Sequence, residues 1–246
     1  MPTIDLEVPT PDGTAPASLH VPEGDGPWPG VLLYPDAGST RQVFRELADR
    51  LAGLGHAVLL PDVYYRAGSY EPFSIATVFT DPGEMARLAE LAGALTPARA
   101  AADARAFADL LDDRPEVADG PIGTTGYCMG GRLSLTAAGT LGGRVGAAAS
   151  FHGGRLAVVG DPGSPHLGAS TTRAVVYVAA ARDDPHFDGA EAARLHEAYL
   201  AAGVDHTIET YAGAHGFAVP DNPTFDEAAS ERHFQALAAL FDAHLG

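Results

Sequence analysis

The only cysteine of this 246-residue chain stands in Gly126-Tyr127-Cys128-Met129-Gly130-Gly131. Gly-x-Cys-x-Gly is the spacing of a nucleophile elbow, a strained strand-to-helix turn that lifts a reactive side chain clear of the backbone. Glycines two residues to either side remove the β-carbons that would collide across so tight a turn. The flanks fit that reading: Pro121–Thr125 is an apolar run that predicts a strand, and Arg132–Ala138 predicts a helix. A thiol at the junction faces the unpaired N–H groups of a helix N-terminus, which favour thiolate. A lone cysteine at a strand end is more often a small buried hydrophobe. The glycines here favour a nucleophile, and a nucleophile needs partners.

Two downstream segments offer them. Arg182-Asp183-Asp184-Pro185 follows the strand-like run Val175–Ala181, and Gly213-Ala214-His215-Gly216-Phe217 follows a run ending at Tyr211. Both fall at C-terminal strand ends, the edge where open α/β sheets place their ligands. His215 would take the thiol proton and an aspartate would orient it. Of ten histidines, His215 alone combines this order with a Gly-rich loop and a strand end. Asp183 is preferred as the acid; Asp184 remains the alternative, since an Asp-Asp-Pro turn can use either as its initiator. His152, at the end of the strand after the elbow helix, is expected to line the pocket. No set of ligands has metal spacing, and neither a P-loop nor a dinucleotide-binding glycine motif occurs. Neither metal nor organic cofactor is expected.

The elements that must position these residues alternate between strand and helix. Thr3–Val8 and Ala17–Val21 read as an antiparallel pair around Pro11-Asp12-Gly13. Gly30–Tyr34 and Ala57–Leu60 are continuous apolar strands, as in a sheet covered on both faces. Helices are predicted over Thr40–Leu54, with Ser39 and Gln42 as a capping box, and over Gly83–Ala94, Pro97–Asp112 and Gly189–Ala202. A last helix is predicted from Thr224, boxed by Glu227. Pro61–Pro82, rich in Tyr, Phe and Pro, is too long for a plain connection. The alternation predicts a mostly parallel, doubly wound α/β sheet with an N-terminal antiparallel hairpin, in one domain spanning 1–246.

Composition narrows the function. The formal net charge of -17 repels phosphate backbones and anionic membrane surfaces, so neither nucleic acid nor membrane is an expected partner. One cysteine excludes an internal disulfide, and the N-terminus lacks a basic, apolar signal pattern. The expectation is a soluble cytoplasmic protein, a monomer or small homo-oligomer, acting on a small molecule.

With these motifs in this order, the chain resembles the dienelactone hydrolase family of α/β-hydrolases, from the strand at Val31 to the final helix. The likeness rests on the Cys128 elbow, the downstream aspartate and Ala214-His215-Gly216-Phe217. It implies an α/β-hydrolase fold and hydrolysis of a lactone or activated ester through a Cys–His–Asp triad, without cofactor. It also implies that Asp36, in Tyr34-Pro35-Asp36-Ala37-Gly38, stands where a glutamate controls the thiol's protonation. By the same alignment the N–H groups of Ala37 and Met129 form the oxyanion hole. Arg66 matches one of two arginines that hold a substrate carboxylate, with Tyr65 beside it; the other is replaced by Val219. Tyr64, Tyr65, Tyr70, Phe73 and Phe79 suggest an aromatic wall. The likeness therefore reaches the chemistry more fully than the substrate. The rival readings are a hydrolase fold kept as a small-molecule binding module, and a thioesterase or peptidase-like hydrolase.

Overall fold

The Gly30–Tyr34 and Ala57–Pro61 strands are buried at every position, which is why their sequences run apolar without alternation. The computed structural model describes residues 1–245. Its strands are β1 (Thr3–Thr10), β2 (Gly13–His20), β3 (Gly30–Tyr34), β4 (Ala57–Pro61), β5 (Ile122–Tyr127), β6 (Val145–Phe151), β7 (Val175–Ala180) and β8 (His206–Thr210). They pair in the order β1-β2-β4-β3-β5-β6-β7-β8. β2 lies antiparallel to β1 and β4, and the pairings from β4 through β8 are parallel. The α/β-hydrolase fold with an N-terminal hairpin is the architecture observed.

The described residues form six α-helices: α1 (Gln42–Ala52), α2 (Pro82–Ala94), α3 (Pro97–Asp112), α4 (Met129–Leu141), α5 (Gly189–Ala202) and α6 (Glu227–His244). Phe44, Leu47 and Leu51 of α1 share one core with Phe234, Leu237 and Phe241 of α6. Phe107 of α3, Leu133 and Leu135 of α4, and Leu195 and Tyr199 of α5 belong to the core on the opposite face. Among the described residues no helix is long and apolar enough to cross a membrane.

Several element boundaries differ from expectation, and three have a clear physical reason. The hairpin strands run longer than predicted, leaving Pro11 and Asp12 as a two-residue turn between Thr10 and Gly13. Ser39 does not cap α1. It is buried at φ 61, and its hydroxyl meets Tyr70 Oη at 2.7 Å and Asp62 Oδ1 at 3.3 Å, so tertiary bonds have displaced the local cap. α6 begins at Glu227, capped by Asp226, whose carboxylate accepts from the Ala229 N–H at 2.9 Å. The Thr224 hydroxyl is spent instead on the His215 carbonyl. Capping rules read only neighbours in sequence, and these side chains found partners across the fold.

Candidate active site

Cys128 leaves β5 at φ 54 and ψ -116, a conformation that L-residues rarely hold, and is the N-cap of α4. Its N–H donates to the Phe151 carbonyl at 3.1 Å, which fixes the turn to β6. The glycines are explained by contact. A β-carbon at Gly126 would lie 2.1 Å from the Gly130 oxygen, and one at Gly130 would lie 2.3 Å from the Tyr34 oxygen and 2.4 Å from that of Pro35. Gly131 belongs to the same set, because its β-carbon would meet Ser150 Oγ at 2.4 Å. Backbone cannot yield as a flexible side chain can. Gly130→Ala is therefore expected to cost roughly 2–3 kcal/mol in urea denaturation. Gly93→Ala in α2, where a β-carbon meets nothing within 4 Å, should instead stabilise by about 0.5–1 kcal/mol. A loss at Gly93 as large as that at Gly130 would remove the steric explanation.

The loops at the C-terminal ends of the strands bring the partners together. His215 Nε2 lies 3.1 Å from Cys128 Sγ, and His215 Nδ1 lies 2.7 Å from Asp184 Oδ2. The acid on the histidine is thus Asp184, not the preferred Asp183. The chain leaving β7 turns at Asp183 in a left-handed conformation, φ 53, which leaves the Asp183 side chain exposed and sends Asp184 under the imidazole. Asp184 Oδ1 also accepts the His186 N–H at 2.9 Å, so both of its oxygens are engaged.

Burial works against an imidazolium at His215, but its hydrogen bonds to Asp184 and Cys128 prevail and raise its pKa from 6.5 to about 10. Burial likewise pushes the Asp184 carboxyl upward, yet the bond and charge of His215 hold it below its usual range. The pair is therefore poised as carboxylate and imidazolium around neutrality. An imidazole held between a carboxylate and a sulfur has the geometry of a proton relay.

Other expected residues have different employment. Arg66 donates from both terminal nitrogens to Asp103, each at 2.7 Å, and from Nε to Asp12 at 2.7 Å. Tyr65 Oη meets Thr10 Oγ1 at 2.6 Å and Asp103 Oδ1 at 2.9 Å. Both residues tie the hairpin to α3 and neither lines the cavity at Cys128. Val219 is fully buried. His152 does not line the cavity either. It is 1% exposed and stands edge-on to His215 with ring centroids 5.2 Å apart, with Phe217 beyond it at 5.0 Å. Burial, with the nearby charge of His215, drives its pKa well below the ordinary value and keeps it neutral.

Asp36 makes no hydrogen bond to Cys128: Oδ1 accepts from the Gly38 N–H at 2.8 Å and Arg41 Nη1 at 2.7 Å, and Oδ2 from Arg41 Nη2 at 2.9 Å. Its lone pairs are committed to Arg41 and its own loop, so the expected control of the thiol has no direct contact behind it. Ala37 and Met129 both line the cavity with Cys128. Neither amide donates to another group among the described residues, and Met129 as first residue of α4 has no intrahelical acceptor.

The cavity, about 390 Å³, also takes in Ile75, Phe79, Arg132, Gly154, Arg155, His186 and the 222–224 segment. Of the suggested aromatic wall only Phe79 reaches it. Tyr64 stands behind, its hydroxyl at 3.1 Å from the Ala37 carbonyl and 3.3 Å from Met129 Sδ. Arg132, a cavity residue that the motifs did not single out, stands one helical turn past Cys128. Its guanidinium and that of Arg155 share Asp161, at 3.1 and 3.0 Å.

Residues 16–245 match the model of the dienelactone hydrolase family. A carboxymethylenebutenolidase of Rhodococcus opacus is 33% identical over 128 residues, 51% of this chain and 45% of its own length. A Methylorubrum extorquens protein provisionally given the same name is 28% identical over 130 residues, 53% of this chain and 42% of its own. The chain thus spans less than half the length of these two curated relatives. A Klebsiella pneumoniae structure, provisionally named a dienelactone hydrolase, superposes with a TM-score of 0.84 at 21% identity over 98% of each chain, and shows the shared fold.

Proposed function

Because the chain belongs to the dienelactone hydrolase family, we propose that it is a carboxylic ester hydrolase acting on a small ester or lactone through Cys128, His215 and Asp184. The observation that carries this reading is the unbroken relay from thiol to imidazole to carboxylate, at 3.1 and 2.7 Å. Cys128 Sγ attacks the acyl carbon and forms a C–S bond. The Ala37 and Met129 amides hold the oxyanion. Collapse breaks the C–O bond, and the departing alcohol takes the proton from His215. Water then returns a proton to His215 as its oxygen attacks the thioester; the C–S bond breaks, releasing the acid and leaving the freed sulfur beside the reprotonated His215.

A cavity of about 390 Å³ with Ile75, Phe79, Met129 and Pro223 on its wall suits a small ester with an apolar portion. Arg66 has no part in this mechanism.

Purified protein is expected to turn over p-nitrophenyl acetate repeatedly, and rapid acid quench should trap an acetyl adduct on Cys128 by mass spectrometry. Turnover with acyl label on another residue, or an absence of both, would overturn the reading.

A further inference from the structure

Arg41 lies outside the relay, yet one side chain there joins the two loops that frame it. Its Nε and Nη2 donate to Asp221 at 2.6 and 2.8 Å, and its Nη1 and Nη2 donate to Asp36 at 2.7 and 2.9 Å. Nη1 also reaches the Ser39 carbonyl at 3.2 Å. The Arg41 side chain is 8% exposed and that of Asp36 5%, while that of Asp221 is 42% exposed.

Each carboxylate immediately precedes a different stretch of the cavity lining. Asp36 immediately precedes Ala37, and a β-carbon on the neighbouring Gly38 would lie 2.8 Å from Arg41 Nη1, so the loop is shaped around the guanidinium. Asp221 immediately precedes Asn222, Pro223 and Thr224, which form another part of the cavity wall. That wall is fastened to the histidine loop: the Thr224 hydroxyl binds the His215 carbonyl, and Asn222 packs where a β-carbon of Gly216 would stand.

A buried ion pair is a weak source of net stability, because desolvation offsets most of the attraction. What two bidentate contacts on one planar group do well is fix geometry. We propose that Arg41 is a positioning residue, which sets the Ala37 amide beside Cys128 by holding Asp36 and Asp221 together in one guanidinium fork. The proposal rests on the ester-hydrolase reading for its purpose, but its test separates the two.

Acylation of Cys128 by p-nitrophenyl acetate is followed in a single turnover, by p-nitrophenol release and the mass of the thioester. Alkylation of the same thiol by iodoacetamide builds no oxyanion and serves as the reference. In Arg41→Lys, which keeps charge but loses the fork, acylation per reactive thiol is expected to fall about 10–100-fold, with alkylation within about 2-fold of wild type. Asp221→Asn breaks only the exposed arm, is safer for folding, and should slow acylation by about 3–10-fold, an effect that disappears in the Arg41→Lys background. A residue that merely supports the fold would lower the melting temperature and the count of reactive thiols, leaving acylation per thiol unchanged. Equal acylation rates in wild type and both variants, or acylation and alkylation falling together, would overturn the assignment. Normal acylation in wild type without further turnover would instead refute the hydrolase reading and leave the role of Arg41 standing.

Discussion

Cys128→Ala is expected to lower steady-state ester turnover by about 10⁴-fold or more, with little change in melting temperature. The thiol is half-buried and its side-chain hydrogen bond is to His215, so its removal opens no core cavity. What disappears is the bond-forming atom. The residual rate would come from the cavity and the amides of Ala37 and Met129 acting on water, a contribution that survives loss of a nucleophile in other hydrolases.

The same position separates reactivity from strain. At φ 54 and ψ -116 the backbone of residue 128 suits glycine better than any L-residue. Cys128→Gly should therefore be as inactive as Cys128→Ala but more stable by about 1 kcal/mol in urea denaturation. A glycine variant less stable than the alanine variant would mean that the elbow holds no strain. An alanine variant retaining more than about a tenth of the wild-type rate would remove Cys128 from the mechanism.

How far the site was legible in sequence depends on the range of the interaction that makes each residue matter. The elbow could be read because its constraint is local: Gly126 and Gly130 answer to the backbone of their own turn and of the adjoining strand end. His215 could be read because strand order places it at the sheet edge that also carries Cys128. Asp183 and Asp184 could not be separated, since the choice lies in one backbone dihedral at Asp183 rather than in residue type. Arg66 was misread for a different reason. Its partners Asp103 and Asp12 stand 37 and 54 residues away, and nothing in the spacing near Arg66 announces either. Arg41 reaches much further, paired with Asp221 at a separation of 180 residues. Motifs record turns and strand ends, whereas ion pairs are settled only when the sheet brings distant loops together.

The dihedral at Asp183 has a direct functional consequence. Asp184→Asn is expected to reduce kcat/KM by on the order of 10²–10⁴-fold, while the exposed Asp183→Asn stays within about 2-fold of wild type. An asparagine keeps the volume under His215 but removes the charge that holds the imidazolium, and its amide can turn the ring to the wrong tautomer. The pH dependence carries the same signature. His215 has its pKa raised from 6.5 to about 10, so its contribution to stability is complete below about 6.5 and is lost as pH rises through about 10. Asp184 has its pKa lowered from 3.8, so its contribution is complete above that value and is lost as pH falls through its depressed pKa. The melting-temperature gap between wild type and Asp184→Asn should therefore be widest between about pH 4 and 6.5 and narrow toward both extremes. The basic limb of kcat/KM, where His215 no longer holds a proton for the leaving alcohol, should also move to lower pH in the variant. A gap that stays constant from acid to base, or an equal loss of activity in Asp183→Asn, would show that Asp184 is not the charge on which the histidine depends.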